Sequence, residues 1–247
     1  MSHSAPSSGP SQHNVAGTVL TMPVQIRTAE QHMAMISVDA DAAQRMIDYS
    51  GLRVYRHRPH RAIAVLMLMR YVDGDLGPYL EYGTNIMVNR PGSEESGLRG
   101  LGSAGAFVHH LPVDGEFTLQ AGRQIWGYPK VLADFTVRDG KPFSFDVKID
   151  GQLAVGMDFK PGLSVPSAFT AKPQVQSTFS YLDGVLRETE GEMRLSGVRY
   201  RPGGARIRLG DHPYAKELAA LGLPKRALLS SSVRNVQMTF ADAKEIS

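Results

Sequence analysis

Strand-type runs closed by turn residues recur along almost the whole chain, and no other feature restricts its fold as much. Phe143-Ser144-Phe145-Asp146-Val147-Lys148-Ile149 alternates, Asp150-Gly151 supplies a hairpin turn, and Leu153 to Phe159 returns. Ala62 to Met69 is uninterrupted apolar sequence, so Arg61 to Val72 reads as a strand buried on both faces. Gly74 and Gly77 then turn the chain into a strand over Pro78–Val88. Further strands are expected over Ala106–Val113, from Phe117–Leu119 toward Trp126, and near 179–188, 191–199, 204–209 and 231–240. Only two helices are expected. One follows a cap at Asp39 or Asp41 and ends at Gly51; the other is capped by Asp211, carries Pro213 in its first turn and stops at Gly222 and Pro224. No strand–helix–strand alternation appears, which rules against a doubly wound nucleotide-binding sheet. The pattern therefore predicts an α+β fold that is mostly antiparallel β.

The first 18 residues are rich in Ser, Pro, Gly and His and carry few large apolar side chains, so a disordered tail is expected over 1–18. A single domain is expected over 19–247, since no internal repeat or domain boundary is visible. The chain has no cysteine, which removes disulfides, thiolate metal sites and a cysteine nucleophile. The formal charge of +3 comes from scattered arginines and says little about partners. No apolar run long enough for a membrane helix and no charged start with an apolar core of a signal peptide are seen, so a cytoplasmic protein is expected.

The candidate chemistry gathers in Gly122-Arg123-Gln124-Ile125-Trp126-Gly127-Tyr128-Pro129-Lys130-Val131. No lysine occurs before position 130, and this one sits among Trp126, Tyr128, Val131 and Leu132. An ammonium held away from water loses stability relative to the free amine, and the free amine can form a Schiff base with a carbonyl. The alternative is a lysine whose stem lies on the rings while its head reaches water.

The G-R-x-x-x-x-Y-P-K run resembles the active-site segment of the acetoacetate decarboxylase family, whose Schiff-base lysine follows a Tyr-Pro or Phe-Pro pair. Leu76-Gly77-Pro78-Tyr79-Leu80-Glu81 is similar to that family's L-G-x-Y-x-E element, and Arg206-Ile207-Arg208-Leu209-Gly210-Asp211-His212 to its late R-L-x-L-x-D-H segment. The resemblance runs from about residue 25 to the C-terminus. It implies large antiparallel sheets curled into a barrel-like cone around Lys130, a homo-oligomer, and no cofactor or metal. It also implies Glu81 as the catalytic acid/base beside Lys130. On an alternating strand, Tyr79 shares a face with Glu81 and is expected to assist it in binding substrate. Trp126 suits the pocket wall.

Departures from the family pattern are as informative as the matches. The residue after Lys130 is Val131, where the decarboxylases carry a second lysine; a second family glutamate falls on Leu66 by simple counting. The family arginine that holds the substrate carboxylate falls on Ala29, with Arg27 two residues out of register, and Arg123 is the cation closest to the lysine in its own segment. The resemblance thus implies a Schiff-base carbon–carbon lyase acting on small keto acids. Aldol, retro-aldol or dehydration chemistry on a pyruvate-like substrate is favoured over decarboxylation. The other reading is a catalytically reduced member that binds a hydrophobic carbonyl compound, with Trp126, Tyr128, Leu66 and Met67, Met69 and Met87 around it.

Other motifs carry less. The loop with Gly97, Gly100, Gly102 and Gly105 has no phosphate-loop ending and is either a lid or a plain connection. His109 and His110 are adjacent on a strand and should point to opposite faces, one toward the cavity; with no third ligand nearby in sequence, a metal is not expected. The basic cluster Arg53, Arg56, His57, Arg58, His60 and Arg61 lacks stacking aromatics beyond Tyr55, so a solvated loop or subunit contact is expected rather than nucleic acid.

Overall fold

The computed structural model describes residues 10–170 and 172–246. β1 (Gln12–Val15) and β2 (Thr18–Thr21) pair as a hairpin. β3 (Val24–Asp39) leads through α1 (Ala40–Ile47) to β4 (Arg61–Gly74), β5 (Tyr79–Val88) and β6 (Gly105–Val113). α2 (Glu116–Trp126) and β7 (Lys130–Leu132) precede β8 (Asp134–Arg138), β9 (Phe143–Ile149), β10 (Gln152–Phe159) and β11 (Leu163–Ser164). The chain closes with β12 (Gln174–Leu182), β13 (Val185–Pro202), β14 (Ala205–Leu209), α3 (Pro213–Ala220) and β15 (Leu229–Ile246).

Strands β13, β12, β6, β5, β4, β3 and β15 are hydrogen-bonded in that order, and β15 pairs back with β13. Seven strands therefore close into a barrel, which leaves no long free edge on that ring. A separate four-stranded sheet, β8–β9–β10–β14, packs on its outside. The long apolar run of β4 follows directly. Leu66 and Leu68 point outward into the core shared with Phe145, Met157 and Phe159, while Met69 and Tyr71 point into the barrel. The mostly antiparallel class and the curled sheets are as expected. Two pairings differ: β6 runs parallel to both β7 and β12, because α2 and the outer sheet return the chain in the same direction.

Several local expectations change. Residues 12–18 belong to the N-terminal hairpin rather than to a tail, because Val15 and Leu20 are buried in the core that holds Trp126, and His13 bonds Asp242 at 2.6 Å. Residues 1–9 lie outside the described residues. The strand expected from Phe117 toward Trp126 is a helix, α2, whose buried positions are Thr118, Ala121, Gly122, Ile125 and Trp126. That spacing is helical, but Thr and Gly at two of the five positions hide the apolar stripe. α3 is capped by the Nδ1 of His212, which accepts the Tyr214 N–H, not by Asp211. α1 is capped by Asp39 as expected. His57 is buried against Ser37, so it leaves the solvated basic cluster.

His109 and His110 do not point to opposite faces. Opposite the pair Thr84–Asn85, β6 carries one extra residue between Val108 and His110, a β-bulge that turns consecutive side chains to the same side. Both Nε2 atoms reach the same oxygen of Glu217 on α3, at 2.7 Å each, outside the barrel. No described helix is long and apolar enough to cross a membrane.

His32 sits on the outer face of β3, stacked at 3.6 Å on Phe143 of the outer sheet, with its Nδ1 2.9 Å from Ser232 Oγ. Burial, helped by the positive charge of Arg70, pushes its pKa down to about 4. The unfolded chain takes up this proton near pH 6.5 while the fold resists it to about 4, so stability falls as pH drops through that window. Thermal melts are expected to lose up to about 3 kcal/mol there on account of this residue. The loss should flatten in His32→Gln.

Candidate active site

Lys130 and Glu81 meet because β6 holds both their strands. Leu111 of β6 is in register with Lys130 on β7, and Val113 with Glu81 on β5. Residues Tyr128 to Lys130 form a tight turn around Pro129, with the Lys130 N–H donating to the Tyr128 carbonyl at 2.8 Å. Proline's fixed φ suits such a three-residue turn. α2 ends just before it at Gly127, whose left-handed φ of 61° admits glycine readily and other residues poorly. Helix end and turn together aim Lys130 into the barrel.

Lys130 is 2% exposed and Glu81 7% exposed, so the two charges face each other out of water. Nζ lies 2.8 Å from Glu81 Oε2 and donates to Thr118 Oγ1 at 2.8 Å. It also stands 5.0 Å over the centre of the Tyr79 ring. Tyr71 donates its hydroxyl to Glu81 Oε1 at 2.9 Å, and the Tyr71 and Tyr79 rings stack at 4.2 Å. Burial first, then the Glu81 charge, raises both phenols well above their usual range, so they serve as proton-bearing donors. The pair is thus hydrogen-bonded on each side, which a buried ion pair needs to persist.

The pair opens on a cavity of about 110 Å³ inside the barrel, to which all seven barrel strands, α2 and β7 contribute. Trp126 and Tyr128 form one wall, with Trp126 Nε1 donating to the Ala241 carbonyl at 2.8 Å and the Tyr128 hydroxyl 2.9 Å from Thr178 Oγ1. A larger open cleft of about 520 Å³ lies outside the barrel by Lys160, Arg206 and Arg226, with no buried nucleophile or acid pair in it.

Of the candidates read from the sequence, Lys130, Glu81, Tyr79 and Trp126 come together in this cavity. The two arginines do not. Arg27 is on the surface, bonded at 2.8 and 2.7 Å to Asp73 and at 2.7 Å to Asp75. Arg123 is exposed on the far side of α2, and its Nε donates to the Lys130 carbonyl at 2.9 Å. It fixes the lysine's backbone instead of meeting a ligand. Ala29 brings no charge, and Leu66, the position of the second family glutamate, faces outward. Neither Met87, His109, His110 nor any residue of the glycine-rich loop lines the cavity. The late Arg206–His212 segment serves packing: Arg208 pairs with Asp146 at 2.8 Å and with Asp158 on the outer sheet. Around the ion pair, Thr118 and Tyr71 are the residues that sequence reasoning missed; in the wider lining it missed Gln31, Asn85, Gln176, Met193 and Met238. Thr118 is legible once α2 is read as a helix with Gly122 one turn on, and Tyr71 once the β4–β5 hairpin places it opposite Tyr79.

The sequence profile described as acetoacetate decarboxylase (ADC) matches residues 6–244. The chain belongs to this family. No curated protein matches it. Among solved structures, an acetoacetate decarboxylase from Legionella pneumophila is similar at 18% identity and TM-score 0.66, covering 91% of this chain and 87% of that one. A second structure, from structural studies of acetoacetate decarboxylase, gives 19% identity and TM-score 0.63 over 91% and 89%. The enduracididine biosynthesis enzyme MppR complexed with pyruvate gives 18% identity and TM-score 0.63 over 97% and 99%. At these identities the likeness shows a shared fold.

Gly122 explains one letter of the family motif. A Cβ there would lie 2.5 and 2.6 Å from Lys130 Cδ and Cε, so any side chain displaces the lysine. Gly122→Ala should favour the helix itself by about 0.5–1 kcal/mol. It should nevertheless lower imine formation at Lys130 by roughly 10²-fold, the usual penalty of an ångström-scale misplacement. A protein that still melts cooperatively but is trapped slowly by borohydride is the expected result.

Proposed function

We propose that this protein is a Schiff-base carbon–carbon lyase in which Lys130 forms an imine with a small carbonyl substrate. The observation that carries this reading is the buried Lys130–Glu81 contact of 2.8 Å at the wall of an interior cavity. Glu81 takes a proton from the ammonium through Oε2, and the free amine adds to the carbonyl carbon. Loss of water gives the iminium, and Glu81 is placed to return the proton that the departing hydroxyl needs. The iminium then accepts the electron pair released when a bond at the neighbouring carbon breaks, which yields an enamine. Protonation at carbon and hydrolysis by water release product and restore Lys130. Thr118 holds Nζ in place, and Tyr71 holds the other carboxylate oxygen of Glu81. Such chemistry agrees with the family and with MppR, which has been seen with the condensation product of pyruvate and imidazole 4-carboxaldehyde.

Borohydride reduction in the presence of substrate carbonyl compounds tests the reading. A reduced adduct should map to Lys130 by mass spectrometry and vanish in Lys130→Met. Glu81→Gln keeps the bond from Tyr71 but removes the proton acceptor, and should slow trapping by about 10²–10⁴-fold. Each single variant leaves one buried charge unpaired, at a cost of about 3–5 kcal/mol, so the double variant Lys130→Met with Glu81→Gln serves as the folded control. If no adduct forms on folded wild-type protein with any aldehyde, ketone or keto acid, the enzyme reading fails and a binding protein remains.

A further inference from the structure

We infer that the substrate of this site is an uncharged carbonyl compound with an apolar body, an aldehyde or ketone rather than a keto acid; this inference rests on imine chemistry at Lys130. The charge inventory of the cavity is the reason. Among the described residues, Lys130 and Glu81 are the only ones of its lining that carry charge, and they balance each other. Arg27 is spent on Asp73 and Asp75 at the surface, and Arg123 points away behind α2. A substrate carboxylate would enter beside Glu81 with no cation left to meet it, and an unpaired buried carboxylate is strongly disfavoured. Once the imine has formed the balance is unchanged, since the iminium replaces the ammonium opposite Glu81.

The rest of the lining agrees. Met67, Met69, Met193 and Met238 supply a pliable apolar wall that adjusts to ligand shape. The other polar side chains of the lining are neutral: the hydroxyl groups of Tyr71, Tyr79, Tyr128 and Thr178 and the amides of Gln31, Asn85 and Gln176, with Asn85 buried where it suits a carbonyl or hydroxyl oxygen and Gln176 exposed at the mouth. Decarboxylation would require a held carboxylate. Bond cleavage or formation next to a neutral ketone or aldehyde, as in aldol, retro-aldol or dehydration steps, needs none.

Trp126, the one tryptophan of the chain, lies in the cavity wall, so its fluorescence reports occupancy whether or not an imine forms. Titration with 2-hexanone and with 2-oxohexanoate, which differ by the carboxylate, should show the ketone binding about tenfold or more tightly. Gln176→Arg, at the exposed mouth, should then tighten the keto acid relative to the ketone and narrow the difference between them. Equal or tighter binding of 2-oxohexanoate to the wild type overturns the inference, as does failure of the ketone to bind. A ketone that binds more tightly than the keto acid but is not trapped on Lys130 by borohydride upholds the cavity's preference for uncharged carbonyl compounds and overturns the lyase reading, and with it the claim that the ligand is a substrate.

A different observation carries a second proposal. The structure assigns a divalent transition-metal site to His109, His110 and Glu217 on the outer face of β6. Their ligating atoms all lie within 4.8 Å of one another, and both Nε2 atoms already face one carboxylate oxygen at 2.7 Å. The bulge in β6 is what aims two neighbouring imidazoles at one point. Tyr49 Oη lies 2.9 Å from His109 Nδ1, the outer hydrogen bond that a metal-bound imidazole typically makes. Two nitrogens and an oxygen suit Zn²⁺ or Co²⁺ and leave a coordination position for water. Half-exposed Glu217 gives access, and an ion there would tie the barrel to α3.

Titration of the whole protein with Co²⁺ alone should produce the visible absorption of a low-coordinate cobalt centre, and Zn²⁺ should displace it. Zn²⁺ should also raise the melting temperature progressively with its free concentration. Glu217→Gln retains an oxygen for both imidazole N–H groups, so the metal-free melt should stay near wild type while the cobalt band and the Zn²⁺ stabilisation are lost. The proposal is overturned if folded wild type shows no band with Co²⁺ in excess, or if the band survives in both Glu217→Gln and His110→Gln.

Discussion

A buried ammonium facing a buried carboxylate is the constraint on which the rest of this structure depends. Taking both charges out of water is expensive, and their attraction offsets it only when every remaining donor and acceptor is engaged. Here Thr118 Oγ1 accepts a hydrogen bond from the ammonium, and the Tyr71 hydroxyl donates to the second carboxylate oxygen. These four groups come from α2, β4, β5 and β7, so the pair exists only when hairpin, helix and barrel are all in place. Strand β6 is the common ruler, antiparallel to β5 on one side and parallel to β7 on the other. A one-residue slip on either side would turn Glu81 or Lys130 out of the barrel.

Closure of the barrel gives its two faces separate tasks. The inner face holds the ion pair, aromatic rings and methionines; the outer face carries the apolar core against the four-stranded sheet. Strict alternation keeps these chemistries apart in β4 and β5. In β6 the bulge breaks the alternation once, and the result is a pair of histidines outside while Val108 and Leu111 remain inside. The irregularity costs the inner wall nothing and concentrates polar ligands behind it.

How much could be read from the sequence follows from which signals are local. The β9–β10 hairpin, the β4 run and the α1 cap are encoded in short stretches, and they stand where the residues place them. The pairing of Lys130 with Glu81 was legible through the family motif, although 49 positions separate them. α2 was not legible as a helix, because its buried stripe uses threonine and glycine for site geometry instead of large apolar groups. Thr118 hid with it. The arginines misled for a related reason: sequence proximity to Lys130 brought Arg123 forward, but the helix end turns it to the far side, where it binds the lysine's carbonyl. The histidine pair was misjudged because a bulge depends on the partner strand and leaves no mark in its own residues.

The family motif and the cavity lining report on different steps of the chemistry. Lysine, glutamate, the glycine one turn on from Thr118 in α2 and the Tyr-Pro turn fix where the Lys130 amine sits, and they are indifferent to what fills the rest of the cavity. The rest of the lining comes from groups scattered one to three to a strand around the barrel, where no contiguous motif can record them. A chain can therefore keep the whole lysine–glutamate motif while its lining changes the charge it will admit. Among the described residues the lining offers no cation beyond the one that Glu81 already balances, and in the reading proposed above that electrostatic neutrality, rather than the motif, sets which substrates reach Lys130.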